Sequence, residues 1–355
     1  MIPFLYLFFN SKKRYNGGIS QDKGESAMAN IFSELQIKGK TLKNRIVMAP
    51  AERVGYTYHD GVMGKDVVRE YEILADNNIG LMMSQSLAVS AQDVAAVGFP
   101  VPGAYRPEQI EPLKRIVKAA HKNGSVFIAQ LGAAFAYSPR FTTADMERIR
   151  DNYLHCARLC LEAEVDGIEI HGAHNVSLNH IISPVTNKRT DKYRDGMNFV
   201  REIVDGIRGF ADGNLILSFR MGCCFDWEKD IQTAKVAESI GFDILNVSVG
   251  VQEGYAPGIP ANYEYTPMTY AASLLKGYVS IPVIAAWGIE TLRRGDKLIR
   301  NGDADLAAYA KSFLADPAFV TKSMNNMDYK PCFGCRNCKW YTNGHQCPGR
   351  ARAAK

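Results

Sequence analysis

The chain has 355 residues, 46% hydrophobic and 22% charged, with a formal net charge of +5. That apolar content is enough to bury a large core without disulfides, and it excludes a disordered or fibrous chain. The charge is mild and no long basic run carries interleaved aromatics, which argues against nucleic acid; no apolar run reaches the ~18 residues of a membrane helix.

At the N-terminus, Met1–Phe9 is apolar but short, and Lys12, Lys13 and Arg14 follow it rather than precede it. A secretory signal has the opposite order. Residues 1–27 are expected to be a spurious extension or a disordered arm, with Met28 as the working start. A weak membrane-touching anchor is the alternative.

From residue 45 short apolar runs alternate with helical patterns. Strands are expected at Arg45–Ala49, Gly80–Ser84, Val126–Gln130, Gly167–Ile170, Leu215–Arg220, Ile244–Val249, Pro282–Ala286 and Asp305–Ala308. Their unbroken apolar character suits a parallel sheet buried on both faces. Between them, Glu108–Lys122, Thr142–Glu164 and Ala234–Ile240 read as helices. Thr142 and Asp145 form a capping box, with Met146, Ile149, Tyr153, Ala157 and Leu161 on one stripe. Eight strands alternating with helices predict an α/β chain, either a (β/α)8 barrel or a doubly wound sheet. No G-x-G-x-x-G follows a strand and no G-x-x-x-x-G-K-[ST] loop is present, which disfavours a nucleotide-binding doubly wound domain. In a barrel, chemistry sits at the C-terminal strand ends. There the sequence offers Glu52, Gln130, His171, His174, Arg220 and Lys311.

Of eight cysteines, Cys156, Cys160, Cys223 and Cys224 are scattered, while Cys332, Cys335, Cys338 and Cys347 cluster at the end as C-x2-C-x2-C-x8-C-P. A secreted disulfide scaffold is shorter and richer in Cys, so a reducing, cytoplasmic setting is expected. Three closely spaced thiolates wrap one face of a cubane and a remote fourth closes it; zinc more often takes two separated C-x2-C pairs. A [4Fe–4S] cluster is the first reading. Zinc and free or redox-labile thiols are the others.

Four segments resemble the old yellow enzyme family, in its order: "LQIKGKTLKNRIVMAP" (Leu35–Pro50), "DGIEIHGAHNVSLNHIISPVTNKRTDKY" (Asp166–Tyr193), "IPVIAAWGI" (Ile281–Ile289) and "NGDADLAAYAKSFLADP" (Asn301–Pro317). The resemblance implies a (β/α)8 TIM barrel over residues 28–330 with FMN across the strand ends, and a Cys-rich tail over residues 331–355. It implies that Ala49 and Pro50 lie against the flavin, that Gln130 meets its pyrimidine edge and that Arg220 stands beside N1. Gly288, Ala310 and Lys311 match the phosphate end. His171 and His174 match the pair that binds a substrate oxygen. The tail resembles the cluster segment of 2,4-dienoyl-CoA reductase and trimethylamine dehydrogenase, which continue into further domains. With this chain stopping at Lys355, a separate redox partner or a vestigial cluster is expected.

Departures bear on the chemistry. The family's proton-donor tyrosine is Val176, the flavin-tuning Thr or Cys is Glu52, and the phosphate-loop Arg is Lys311, which lacks a bidentate fork. "LGAAFAYSP" lacks the usual His, Arg194-Asp195 replaces paired glycines, and Trp287 stands where Gly is usual. Tyr56, Tyr58, Tyr105 and Tyr137 are candidate replacements for the tyrosine. Each residue also has a plainer role: Glu52 pairing with Arg53, Arg220 in a surface ion pair, Gln130 capping a loop, Cys223 and Cys224 as filler.

The expected function is an FMN-dependent ene-reductase, passing hydride to the C=C bond of an α,β-unsaturated carbonyl compound such as a ring enone, with NADH or NADPH as reductant. The alternatives are a flavin and iron–sulfur amine or N-methyl dehydrogenase, a redox subunit that needs an electron-transfer partner, and a non-redox barrel with a zinc tail. A homo-oligomer acting on small molecules, away from membranes, is expected.

Overall fold

The computed structural model describes residues 29–53, 56, 58–97, 100–133, 138, 140–251 and 258–354. The expected extension at residues 1–27 and the candidate Tyr137 lie outside them.

Eight parallel strands follow one another around a closed barrel: β1 (Ile46–Met48), β2 (Leu81–Met83), β3 (Val126–Gly132), β4 (Gly167–Gly172), β5 (Ile216–Cys223), β6 (Ile244–Val249), β7 (Val283–Ala285) and β8 (Leu306–Tyr309). β8 pairs back onto β1, so this sheet has no free edge. The helices α1 (Lys65–Ala75), α2 (Ile110–Lys122), α3 (Thr143–Glu162), α4 (Gly196–Arg208), α5 (Trp227–Ser239), α6 (Pro267–Lys276), α7 (Leu292–Arg300) and α8 (Phe319–Asn325) follow the strands in turn. This is the (β/α)8 barrel, and it resolves the choice against a doubly wound sheet.

Each expected strand is present. Polar residues suggest that two of them end at Gln130 and Arg220, yet the ladders run on to Gly132 and Cys223. Arg220 is paired in register with both His171 and Asn246, so these polar side chains lie within the sheet. The capping box is as expected: the Thr142 hydroxyl accepts from the Asp145 N–H, and the Asp145 carboxylate accepts from the Thr142 N–H.

Alternation along the strands divides the apolar side chains into two cores. One fills the barrel, with Val47, Leu81, Ile128, Ile216, Ile244, Ile284 and Leu306; the other, larger one lies between barrel and helices. An antiparallel hairpin, Leu35–Ile37 with Lys40–Leu42, adds Ile37 and Leu42 to the inner core. Its turn holds Lys38 and Gly39 at φ 49° and 74°.

The N-terminal face repeats one device at three of the four even-numbered strands. Asp166, Asp243 and Asp305 each stand one residue before an even-numbered strand. Each accepts from an N–H at the start of the strand before it: Phe127 at 2.8 Å, Leu217 at 2.8 Å and Val283 at 2.9 Å. Each also meets a cation: Lys40 at 2.9 Å, Arg208 at 2.6 Å and Lys276 at 2.7 Å. Such charge-assisted bonds fix the strand stagger at the face away from the chemistry.

The sequence of the tail shows no obvious regular structure, but the fold gives it some. It forms 3-10 turns at Lys339–Tyr341 and Gly344–Gln346 and a helix at Pro348–Ala353. Pieces this short carry no periodic signature; Pro348, fixed in φ at the helix start, is their one local signal. Among the described residues no helix is long and apolar enough to cross a membrane.

Candidate active site

The polar residues of the middle strands meet inside the C-terminal mouth. Glu169, one alternation below His171 on β4, is fully buried. It accepts from Gln130 Nε2 (2.7 Å), Ser218 Oγ (2.7 Å) and Asn246 Nδ2 (2.8 Å), from β3, β5 and β6. Three donors to one carboxyl group are the signature of a carboxylate. Burial pushes its pKa up; the Arg220 charge and these donors oppose that. Asn246 relays the contact, since its Oδ1 accepts from Arg220 Nη1 at 2.6 Å. A buried cation and a buried anion are thus tied through one amide. Because Gln130 spends its NH2 on Glu169, its carbonyl oxygen is the end left for a ligand.

Above this layer, Arg220 Nη2 reaches Ser248 Oγ at 3.3 Å, and the same hydroxyl lies 2.6 Å from His174 Nε2. The His171 and His174 rings meet edge to face at 5.0 Å. His171 is buried on β4. His174 opens to the cleft from a loop where it and Asn175 both take φ 60°, a left-handed conformation rare outside glycine. The pair is therefore not one helix face. The dry surroundings, then the neighbouring ring and Arg220, hold His171 well below the ordinary imidazole value; desolvation and Arg220 hold His174 low too. Both rings are neutral at physiological pH, each able to donate one N–H.

At the β1 and β2 ends, Glu52 is half-buried. Gln85 Nε2 donates to Glu52 Oε2 at 3.1 Å and to the Tyr58 hydroxyl at 2.8 Å. No ion pair joins Glu52 to Arg53, which is buried nearby with Nη1 on the Ala51 carbonyl and the Tyr71 hydroxyl and its guanidinium 4.1 Å above the Tyr71 ring. Ala49 is buried and Pro50 half-buried beside it.

At the β7 and β8 ends, Trp287 and Gly288 take φ 73° and 70°. A Cβ on Gly288 would come within 2.5 Å of Thr266, so the loop is both left-handed and tight. Ala310 precedes the short helix Lys311–Ala315. The Lys311 chain is exposed and lines a cavity shared with Cys332, Cys335, Cys338 and Cys347. Lys311 thus stands between the expected phosphate end and the cysteines.

The four tail cysteines line that one cavity, with Trp340 and Gly349. The Gly334 N–H lies 3.4 Å from Cys332 Sγ. Among the described residues no three His, Cys, Asp or Glu side chains are gathered as for one metal ion. The tail docks beside β1. Arg350 forms a two-pronged pair with Glu70 of α1, at 2.8 and 2.5 Å, and Tyr56 stacks on Trp340 and packs against His345. Cys223 is buried filler, and Cys224 lies beside Asp230.

The mouth fits a flavin. The buried atoms His171 Nδ1, Arg220 Nε and Gln85 Oε1 have no hydrogen-bond partner among the described residues, and buried polar atoms are rarely left so. A flat ligand with donors and acceptors along its edge answers that need. The profile of the NADH:flavin oxidoreductase / NADH oxidase family matches residues 30–140 and 132–329.

The chain belongs to that family.

This is the family of FMN-dependent oxidoreductases to which the sequence resemblance points. A curated relative, the NADH oxidase of Thermoanaerobacter brockii, is 27% identical over 86% of this chain and 52% of its own length. The chain spans about half the length of the first curated relatives it matches. Histamine dehydrogenase from Rhizobium sp. 4-9 superposes with a TM-score of 0.74 at 18% identity, over 86% of this chain and 49% of that one. An old yellow enzyme homologue from Zymomonas mobilis superposes with a TM-score of 0.70 at 18% identity, over 88% and 97%. Both structures share the barrel fold.

Sequence reasoning missed Glu169, Gln85, Asn246 and Ser248. For Glu169 a signal was present: one carboxylate inside the apolar run Gly167–Ile170, where burial requires partners.

Proposed function

We propose that this chain is an FMN-dependent ene-reductase that uses NADH or NADPH to reduce the C=C bond of an α,β-unsaturated carbonyl compound. The observation that carries this reading is the pair of neutral imidazoles, His171 and His174, beside the buried Arg220. Ala49, Pro50, Gln130 and Arg220 would hold the ring, and the backbone around Gly288 and Ala310, with Lys311, its phosphate. FMN bound there would supply the hydride. His171 and His174 would donate to the substrate carbonyl oxygen, where negative charge builds as hydride arrives, in the manner of an oxyanion hole. Neutrality suits this role, because imidazolium beside Arg220 would repel the ring's cation partner. The nicotinamide would stack on the flavin face.

Flavin absorbance bands that bleach anaerobically on adding NADH or NADPH, and recover on adding a cyclic enone, are the expected result. Flavin that ignores both nucleotides but bleaches with an amine would favour the second reading, an amine or N-methyl dehydrogenase. Val176 favours that reading, since amine oxidation needs no proton donor to carbon. Exchanging His171 for alanine should abolish the long-wavelength phenol charge-transfer band while FMN stays bound. An unchanged phenol titration would remove His171 from the substrate site.

The tail supports a [4Fe–4S] cluster on Cys332, Cys335, Cys338 and Cys347. A cubane spreads its thiolates wider than one ion does, because each binds a different iron, which is consistent with four cysteines sharing a cavity without a single-ion nest. Iron and acid-labile sulfide in equal amounts, both lost in Cys335→Ala, are expected; zinc alone would exclude the cluster. Electrons would then pass through the tail.

A further inference from the structure

Reducing an alkene needs a proton as well as a hydride, and among the described residues those around the histidine pair do not give one. Both imidazoles are neutral, and the one N–H of each is required at the carbonyl oxygen. Val176 has nothing to give. The Glu52 carboxyl group faces two donors, Gln85 Nε2 at 3.1 Å and the Ser86 N–H. Gln85 is itself buried and held by the Tyr58 hydroxyl, and its carbonyl oxygen has no partner among the described residues. Ser86 connects this group to the histidines. A Cβ placed on Gly132 would lie 2.5 Å from Ser86 Oγ and 3.4 Å from His171 Cβ, so the two residues share one wall of the mouth.

We propose, resting on the reductase reading, that Glu52 is the acid that completes the reaction. NAD(P)H is oxidised and the alkene reduced; hydride adds to the β-carbon and leaves an enolate. The enolate's electron pair takes the Glu52 proton, so the carboxyl O–H bond breaks as the C–H bond forms at the α-carbon. Gln85 Nε2 and the Ser86 N–H then hold the carboxylate, which recovers its proton from water. The balance of burial against these donors suits the role. Burial raises the Glu52 pKa to about 7, against the Arg53 charge and the two hydrogen bonds, so the acid is poised near working pH. The other groups facing this corner are Tyr58, Tyr71 and Glu70; Glu70 is neutralised by Arg350.

The sign follows directly. A proton donor works in its protonated form, so the alkene step should fall as pH rises through about 7. The folded state also binds this proton more tightly than the unfolded chain, so wild type should lose stability against Glu52→Gln as pH rises from 4.5, the ordinary carboxyl value, to about 7.

The test uses the FMN-loaded protein and separates the two half-reactions by stopped flow. Glu52→Gln should slow reoxidation by enone on the order of 100-fold more than reduction by NAD(P)H, as loss of a general acid does, and remove the alkaline limb. Glu52→Asp should keep the limb. An infrared titration, which needs no turnover, should show a protonated carboxyl band titrating near pH 7 in wild type that is missing from Glu52→Gln, which keeps that of Asp230, raised by burial to about 6. Equal slowing of both half-reactions, a limb that survives in Glu52→Gln, or no such difference in the carboxyl band overturns the proposal and leaves the reductase reading intact. Wild-type flavin that NAD(P)H reduces and no enone reoxidises overturns both.

Discussion

Replacing Glu169 with alanine is expected to cost about 3–5 kcal/mol of stability, the range for breaking a buried charge pair by removing one partner. Glu169 accepts from Gln130, Ser218 and Asn246, all buried with it. Alanine would leave three donors without an acceptor and Arg220 without its nearest anion, at a depth water does not reach. Desolvation of unpaired groups, more than loss of the bonds themselves, sets the size of the effect. Glutamine should cost less, because it keeps the volume and one acceptor, but it brings an NH2 to face donors. The consequence reaches the flavin. With Glu169 gone, Gln130 is free to turn its amide, and its carbonyl no longer has a fixed direction. FMN affinity should fall at least about tenfold, on the scale of one lost buried hydrogen bond. Chemical denaturation with and without FMN measures both. A loss of under ~1 kcal/mol would mean that the network is dispensable.

Gly250→Ala should also be severe, by about 3 kcal/mol, for a steric reason. A Cβ there would lie 2.7 Å from both the carbonyl carbon and the oxygen of Gly222. The obstacle is backbone, which no rotamer change relieves. The β5 and β6 ends touch at this point, and Gly222 would meet the Gly250 Cα at 2.7 Å in the same way. Strain here passes to the site, because the His174 N–H is bonded to the Val249 carbonyl at 2.9 Å. The expected phenotype is a lower unfolding midpoint together with weakened phenol binding. A variant with the wild-type midpoint would show that the two strand ends can separate freely. Paired substitution of Gly222 and Gly250 should be no better than either alone, since both additions crowd one gap.

Several parts of this protein were written in short stretches of sequence. The eight strands are apolar runs a few residues long, and burial on both faces follows from their composition. The α3 cap was legible because its partners are three residues apart. The positions of His171, His174, Gln130 and Arg220 at strand ends followed from placing the strands, and the family from four motifs in order. Tertiary structure decided what those residues do for one another. The groups that meet at Glu169 are separated by 39, 49 and 77 residues along the chain, so no local pattern links them. The neutrality of the histidines and the raised pKa of Glu52 come from desolvation, a property of the closed mouth and not of the residue. The tail's place beside β1 rests on Arg350 finding Glu70 across 280 residues. Local sequence sets which side chains turn inward; closure of the barrel sets their distances, and with them charge, hydrogen bonding and reactivity.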